Sequence, residues 1–275
     1  MRLLWLPDVL SDAGLDVVET PGWQARGKDG MRPLVVVGHH TGSQPRRFAP
    51  LGDSGASDMR GMDILINGRP PSDPKPLPGP LCHLGLVRGG AYFIVAAGKA
   101  NHAGAGQWDG ANESVEAIGI EAFNWGASIP FPTRELWSPV QLDAYDRGVA
   151  ALLAHIGQDA SHFCGHREWA TPPGRKPDPS GIDLDAMRAR VAAIMEPMTP
   201  TQARIEVATA WHAASGEWMT PLPTETRQQR LTRLAAEVTA GGRTAAQIAT
   251  HAVRTSPPQV GETVPAWVLD PSIPA

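Results

Sequence analysis

Three stretches of the chain carry side chains that could do chemistry together. His39-His40-Thr41 closes a β-branched run. Ile118-Gly119-Ile120-Glu121 ends a second apolar run. Gly165-His166-Arg167-Glu168-Trp169 leads into Pro173-Gly174-Arg175-Lys176-Pro177-Asp178-Pro179. Taken singly, each is modest. A histidine at a strand end is more often an ordinary half-buried residue than a ligand. Asp between two prolines is by default a turn residue, and a loop lysine is by default solvated. Taken together, they supply two imidazoles, a carboxylate ligand, a spare carboxylate and a lysine. That is the inventory of a catalytic zinc site: three protein ligands, one position left for water, and a base beside it. The imidazoles sit on separate segments, so they can approach a metal from different directions. The irregular stretch through Pro172, Pro173 and Gly174 can bring the chain back to it.

These residues need elements to position them. Leu34 to Val37 reads as a buried strand that delivers His39 and His40 at its end. Residues 42 to 80 are rich in Pro, Gly, Ser and Asp, and so long a loop implies a short helix near Asp58 to Ile66. Cys82 to Val87 and Ala91 to Ala97 form a hairpin turned at Arg88-Gly89-Gly90. Ile118 to Phe123 is a further strand. Ser138-Pro139 starts a helix whose apolar face uses Leu142, Tyr145, Val149, Leu152, Leu153 and Ile156. Ser161 to Cys164 is a short strand, Gly165 to Ser180 is irregular, and Asp183 to Met195 returns to helical spacing. A break at Pro197 to Pro200 precedes three helical candidates, Thr201 to Ala214, Glu225 to Ala240 and Thr244 to Arg254, and then a Pro-rich tail. The expected organisation is an α/β domain over residues 1–197 and a small all-α module over 198–275.

Composition narrows the class. The net charge of −4 carries no signature of a nucleic-acid binder. Cys82 and Cys164 are too few for a disulfide scaffold, which fits synthesis in a reducing compartment. The apolar start at Leu3-Leu4-Trp5-Leu6 is soon broken by Asp8 and Asp12 and has no small-residue cleavage site, so it does not read as a secretory signal. No apolar run reaches the roughly 18 residues of a membrane span.

The motifs resemble those of the type-2 N-acetylmuramoyl-L-alanine amidases, which include phage lytic enzymes, wall-recycling enzymes and animal peptidoglycan recognition proteins. The resemblance runs in order from about Leu34 to Ile194. It implies a mixed central β-sheet flanked by helices. It implies Zn2+ held by His39, His166 and Asp178, with His40 a neighbour. Glu121 is then the general base for water and later the acid for the leaving amine, and Lys176 stabilises the oxyanion. Two departures stand out. Cys82 occupies the position before His83 where some members carry a catalytic tyrosine. In Asn101-His102-Ala103-Gly104, Asn replaces the family's aromatic residue. His102 is expected to line the substrate groove. His83 and Arg175 are candidate substrate contacts, Arg175 because a guanidinium grips a carboxylate bidentately. Trp108, Trp125 and Trp169 could stack on sugars, although core packing is the commoner role.

The implied activity is hydrolysis of the amide between muramic acid and the first L-alanine of peptidoglycan. The expected partner is peptidoglycan, with no nucleic acid, no membrane insertion and a monomeric chain. The resemblance to enzymes of actinobacterial phages further implies an endolysin, made in the host cytoplasm and released by a holin. The alternatives are a peptidoglycan-binding protein without catalysis and a cytoplasmic wall-recycling amidase.

Overall fold

The computed structural model describes residues 1–42, 55–126 and 136–196, with backbone alone at 55–60 and at two short stretches, 218–219 and 258–259. The chain divides into two compact units, Met1–Met195 and Glu196–Ala275.

The first unit is built on six strands: β1 (Val17–Glu19), β2 (Val35–His40), β5 (Leu84–Leu86), β6 (Tyr92–Ile94), β7 (Ala117–Ala122) and β8 (Phe163–Gly165). Their order across the sheet is β1-β6-β5-β7-β2-β8. All neighbours are parallel except the β5–β6 hairpin, so the sheet is mixed. A separate antiparallel pair, β3 (Gly68–Arg69) and β4 (Leu77–Pro78), follows helix α2 (Gly55–Asn67). The remaining helices are α1 (Leu6–Asp12), α3 (Pro139–His155), the single turn α4 (His166–Trp169) and α5 (Leu184–Met195).

Strand alternation sorts the sheet into two faces. Val36, Ile118 and Ile120 point to one face, where Leu6 and Leu10 of α1, Tyr145, Val149 and Leu152 of α3, and Met187 and Val191 of α5 bury them. Val35, Val37, Ala117 and Cys164 point to the other and pack on Ala103 and Ala111 of the β6–β7 loop and on Trp169 of α4. His39 and Glu121 continue this second face. A third cluster sets Met62 and Leu65 of α2 against Cys82, Val95 and Phe123.

Ser138 caps α3 as its sequence suggests, accepting the Gln141 N–H at 3.2 Å. The strand and helix expectations for residues 34–37, 58–66, 118–123, 138–156 and 183–195 are met within a few residues. Several elements went unread. Strand β1 and the β3–β4 pair are two or three residues each and too short to show a pattern, Leu6 and Leu10 make α1 a buried helix despite its acidic residues, and the segment read as irregular after Gly165 opens with α4. No helix among the described residues is long and apolar enough to cross a membrane. The three helical candidates beyond residue 200 lie outside the described residues. In that second unit β9 (Trp218–Met219) pairs antiparallel with β10 (Pro258–Gln259).

Candidate metal centre and active site

The parallel register does the first part of the assembly. His39 on β2 pairs with Glu121 on β7, and Gly38 pairs with Gly165, the residue before His166. Adjacent strands lie about 4.8 Å apart, so His39, Glu121 and His166 emerge side by side at one end of the sheet. Gly38 leaves room for Tyr145. A Cβ there would sit 2.6 Å from the phenolic oxygen, which donates to the His39 carbonyl at 3.1 Å.

Asp178 is brought back by a stapled loop. The Arg167 N–H donates to the Asp178 carbonyl at 2.7 Å, and the Arg167 guanidinium donates to the carbonyls of Pro179 and Ile182. Sequence reading missed this role of Arg167; the only signal was its place directly after His166. Arg175, expected to grip a substrate carboxylate, has its Nε and one Nη committed to the carbonyls of Thr171 and Ala105, at 2.9 and 2.6 Å. It ties together the two loops that carry His102 and Asp178.

His39 Nδ1, His166 Nδ1 and Asp178 Oδ2 converge, separated by 2.9, 3.2 and 3.0 Å. They form the metal-capable group His39, His166 and Asp178. Their tautomers are set from behind. His166 Nε2 lies 2.9 Å from the Ala103 carbonyl, so it must donate there, and its Nδ1 keeps a lone pair. His102 Nε2 likewise donates to the Ala117 carbonyl, 3.2 Å away, which makes His102 Nδ1 an acceptor. His39 Nε2, 3.0 Å from that acceptor, must donate to it, and His39 Nδ1 is left with a lone pair.

Two imidazole lone pairs and a carboxylate oxygen thus face one another at about 3 Å. Only a positive charge among them makes that arrangement favourable. A tetrahedral zinc ion with bonds of about 2.0–2.1 Å sets its ligands about 3.3 Å apart, so the group fits zinc in both donor type and spacing. Burial holds the His39 imidazole down to about 4, in its neutral, ligating form. Burial pushes the Asp178 carboxyl up, but the two imidazoles more than offset this and keep it below the usual carboxylate range.

His102 and His83 were expected at the substrate groove. Both are instead buried, in the layer behind His39. His102 meets His39 edge-on, and His83 meets His102 in the same way. His83 Nδ1 accepts the Gly119 N–H at 3.0 Å. Gly119 is required here, because a Cβ would fall 2.5 Å from the His102 ring.

Glu121 has its Oε2 buried with no hydrogen-bond partner among the described residues. Burial first, then the charge of Asp178, push its carboxyl up to about 8, while Lys176 and Arg69 pull it back. The Lys176 charge acts on His39 as well, so the lysine is within electrostatic reach of both the metal group and the base. Cys82 is fully buried, and burial followed by the Glu121 charge pushes its thiol up, away from the reactive thiolate. His40 points to the other side and accepts the Ser180 N–H at 3.1 Å. Trp169 is core, and Trp108 is fixed by its Nε1 donating to the Ser161 carbonyl at 2.8 Å. The structure therefore brings His39, His166, Asp178, Glu121 and Lys176 together, and sets His83, His102 and Arg175 behind or beside them.

Residues 29–181 match the family described as N-acetylmuramoyl-L-alanine amidase, and this is more than half of the chain. The chain belongs to the N-acetylmuramoyl-L-alanine amidase family. It is an enzyme of that class, a hydrolase whose family acts on peptidoglycan. No curated protein sequence matches the amidase. Among solved structures, a selenomethionine derivative of AmpD is 21% identical, with a TM-score of 0.44, covering 66% of this chain and 94% of its own. AmpD from Citrobacter freundii is also 21% identical, with a TM-score of 0.41 and coverages of 67% and 95%. The endolysin amidase LysCS from Clostridium intestinale is 16% identical, with a TM-score of 0.38 and coverages of 64% and 95%.

Proposed function

We propose that the enzyme is zinc-dependent, with His39, His166 and Asp178 as ligands, and that it cuts the amide between N-acetylmuramic acid and L-alanine. The observation that carries the metal reading is the convergence of three lone-pair atoms at 2.9–3.2 Å, with His166 held in its ligating tautomer by the Ala103 carbonyl and His39 by His102, itself anchored on the Ala117 carbonyl. A bound zinc ion would polarise the scissile carbonyl and make water acidic enough to attack near neutral pH.

The chain's own residues do the rest. Glu121, with an unpartnered oxygen at the site and in the ionised form that a bound cation would favour, takes the proton of the attacking water and passes it to the leaving amine nitrogen. Lys176 sets a positive charge where negative charge develops on the carbonyl oxygen, so it favours the transition state over the neutral ground state. His102, backed by His83, orients His39, in the way that groups behind a metal ligand commonly do. Digestion of purified peptidoglycan tests this reading. The expected product is a new N-terminal alanine; new reducing sugar ends without free alanine would refute the bond assignment.

The biological role we infer is that of an endolysin acting on the wall as a monomer after release from the host cytoplasm. The unit Glu196–Ala275, beyond the catalytic unit, supports this reading as a candidate wall-binding module. Expression in a susceptible host should lyse cells only when a membrane-permeabilising partner is co-expressed. Harmless co-expression would favour the wall-recycling alternative.

A further inference from the structure

A cavity of about 580 Å3 lies between two segments that also lead to the site, and neither the three ligands nor Glu121 nor Lys176 lines it. Its size falls in the range of about 300–1,000 Å3 common for small-molecule sites. One wall is the 107–112 turn from the loop that also carries His102. The other is Glu168 to Pro173, beginning two residues after His166. The walls are fastened together, with the Gln107 N–H donating to the Trp169 carbonyl at 3.0 Å and Gly106 bridged to Ala170. Asp109, at the tip of the turn, holds a left-handed φ of 42° and is pinned by the Ser161 hydroxyl at 3.1 Å and by His162. Such a non-glycine outlier persists where the surroundings over-determine it, often at ligand sites.

The lining chemistry selects the occupant. Both Glu168 oxygens are bonded to Arg188 at 3.0 Å, which compensates that acid, and Asp109 has one oxygen held by the Ser161 hydroxyl and is otherwise turned to solvent. No Lys, Arg or His lines the cavity, so an anionic stem peptide finds no counter-charge there. What remains is neutral: the exposed amides of Gln107 and Asn112, the Thr171 hydroxyl, and the Trp108 indole, held rigid by Ser161 and by Arg188 at 5.5 Å from its ring centre. Amides and hydroxyls beside an aromatic surface match a ring that is polar at its edge and apolar on its face. We propose that this cavity is a saccharide subsite, holding a neutral N-acetylated sugar of the glycan strand adjacent to the one whose peptide is cut. The inference rests on the amidase reading for its biological ligand, but the site can be tested without catalysis.

The probe is the tetrasaccharide of N-acetylglucosamine, which carries no peptide and no charge, titrated into the full chain while the Trp108 indole N–H is followed by NMR. The expected result is a saturable shift of Trp108. Gln107→Ala/Asn112→Ala should weaken it about tenfold, the loss of roughly two modest hydrogen bonds; both side chains are exposed, so the fold is not at stake. The same double variant should hydrolyse a muramoyl dipeptide, which has no neighbouring sugar, at the wild-type rate, and show a raised KM on polymeric wall. Absence of a saturable Trp108 shift, or equal affinity in the double variant, overturns the subsite. Failure of the zinc-loaded wild type to cut the muramoyl dipeptide would overturn the amidase reading instead and leave the titration standing.

Discussion

Replacing His102 with Phe should weaken zinc binding without touching any proposed ligand. His102 Nδ1 is the acceptor for His39 Nε2–H at 3.0 Å, and its own Nε2 is anchored on the Ala117 carbonyl. Phe keeps a flat ring over Gly119, where the space is shaped for one, but removes the acceptor. The buried His39 Nε2–H is then orphaned whenever His39 ligates through Nδ1. An unsatisfied buried donor costs about 1–3 kcal/mol, and each 1.4 kcal/mol is tenfold in affinity. The expected weakening is therefore about 10- to 100-fold, the range usually seen when a residue behind a metal ligand is removed. Competition against a calibrated chelator reads it directly, with the melting temperature of the zinc-free form as a control for general damage. Unchanged zinc affinity in a folded His102→Phe protein would refute the tautomer argument, since that argument makes His102 the group that commits His39 Nδ1 to the metal.

Glu121→Gln keeps the side chain's shape but removes the base, so turnover should fall about 10²- to 10⁴-fold with zinc content unchanged. Lys176→Met should lower turnover about 10²- to 10³-fold with little change in zinc content or melting temperature, whereas a merely solvated lysine would alter none of the three. The pH dependence of stability has a definite sign. Glu121 titrates near 8 when folded and near its ordinary value of 4.5 when unfolded, so in between the unfolded chain has already lost the proton and stability falls as pH rises. His39, held down to about 4, acts oppositely but only below its ordinary value of 6.5. Above pH 6.5 the slope therefore belongs to Glu121 between these two groups. Chelator-treated wild type should lose melting temperature from pH 6.5 to 8, and Glu121→Gln should lose less.

Much of this site could be read from residue types because its parts are carried by strong local signals. The run Val35-Val36-Val37 can only be a buried strand, and a strand with period two puts His39 on the face of Val37. The cross-strand partner was not legible, because nothing in the spacing between His39 and Glu121 gives the register that pairs them. The roles of His83 and His102 were misplaced for a related reason. A histidine in a loop motif looks the same in sequence whether it faces substrate or backs a ligand, and here the Ala117 carbonyl on His102 and the Gly119 N–H on His83 decide. Arg175 was read from its capacity to grip a carboxylate, but backbone carbonyls of two loops satisfy the same donors. Helix α1 was lost because acidic Asp8 and Asp12 broke the apolar run, although Leu3, Leu6 and Leu10 keep helical spacing beneath them.

The central claim is that one metal ion, held by His39, His166 and Asp178, is required for cleavage of the muramoyl–alanine bond. Zinc add-back to chelator-treated protein, with released N-terminal alanine as the readout, tests it most directly. The account predicts no alanine release without metal, recovery that saturates at about one zinc per chain, and no recovery in His166→Ala at the same zinc level. Full alanine release from metal-free protein, or recovery in His166→Ala equal to wild type, would contradict it.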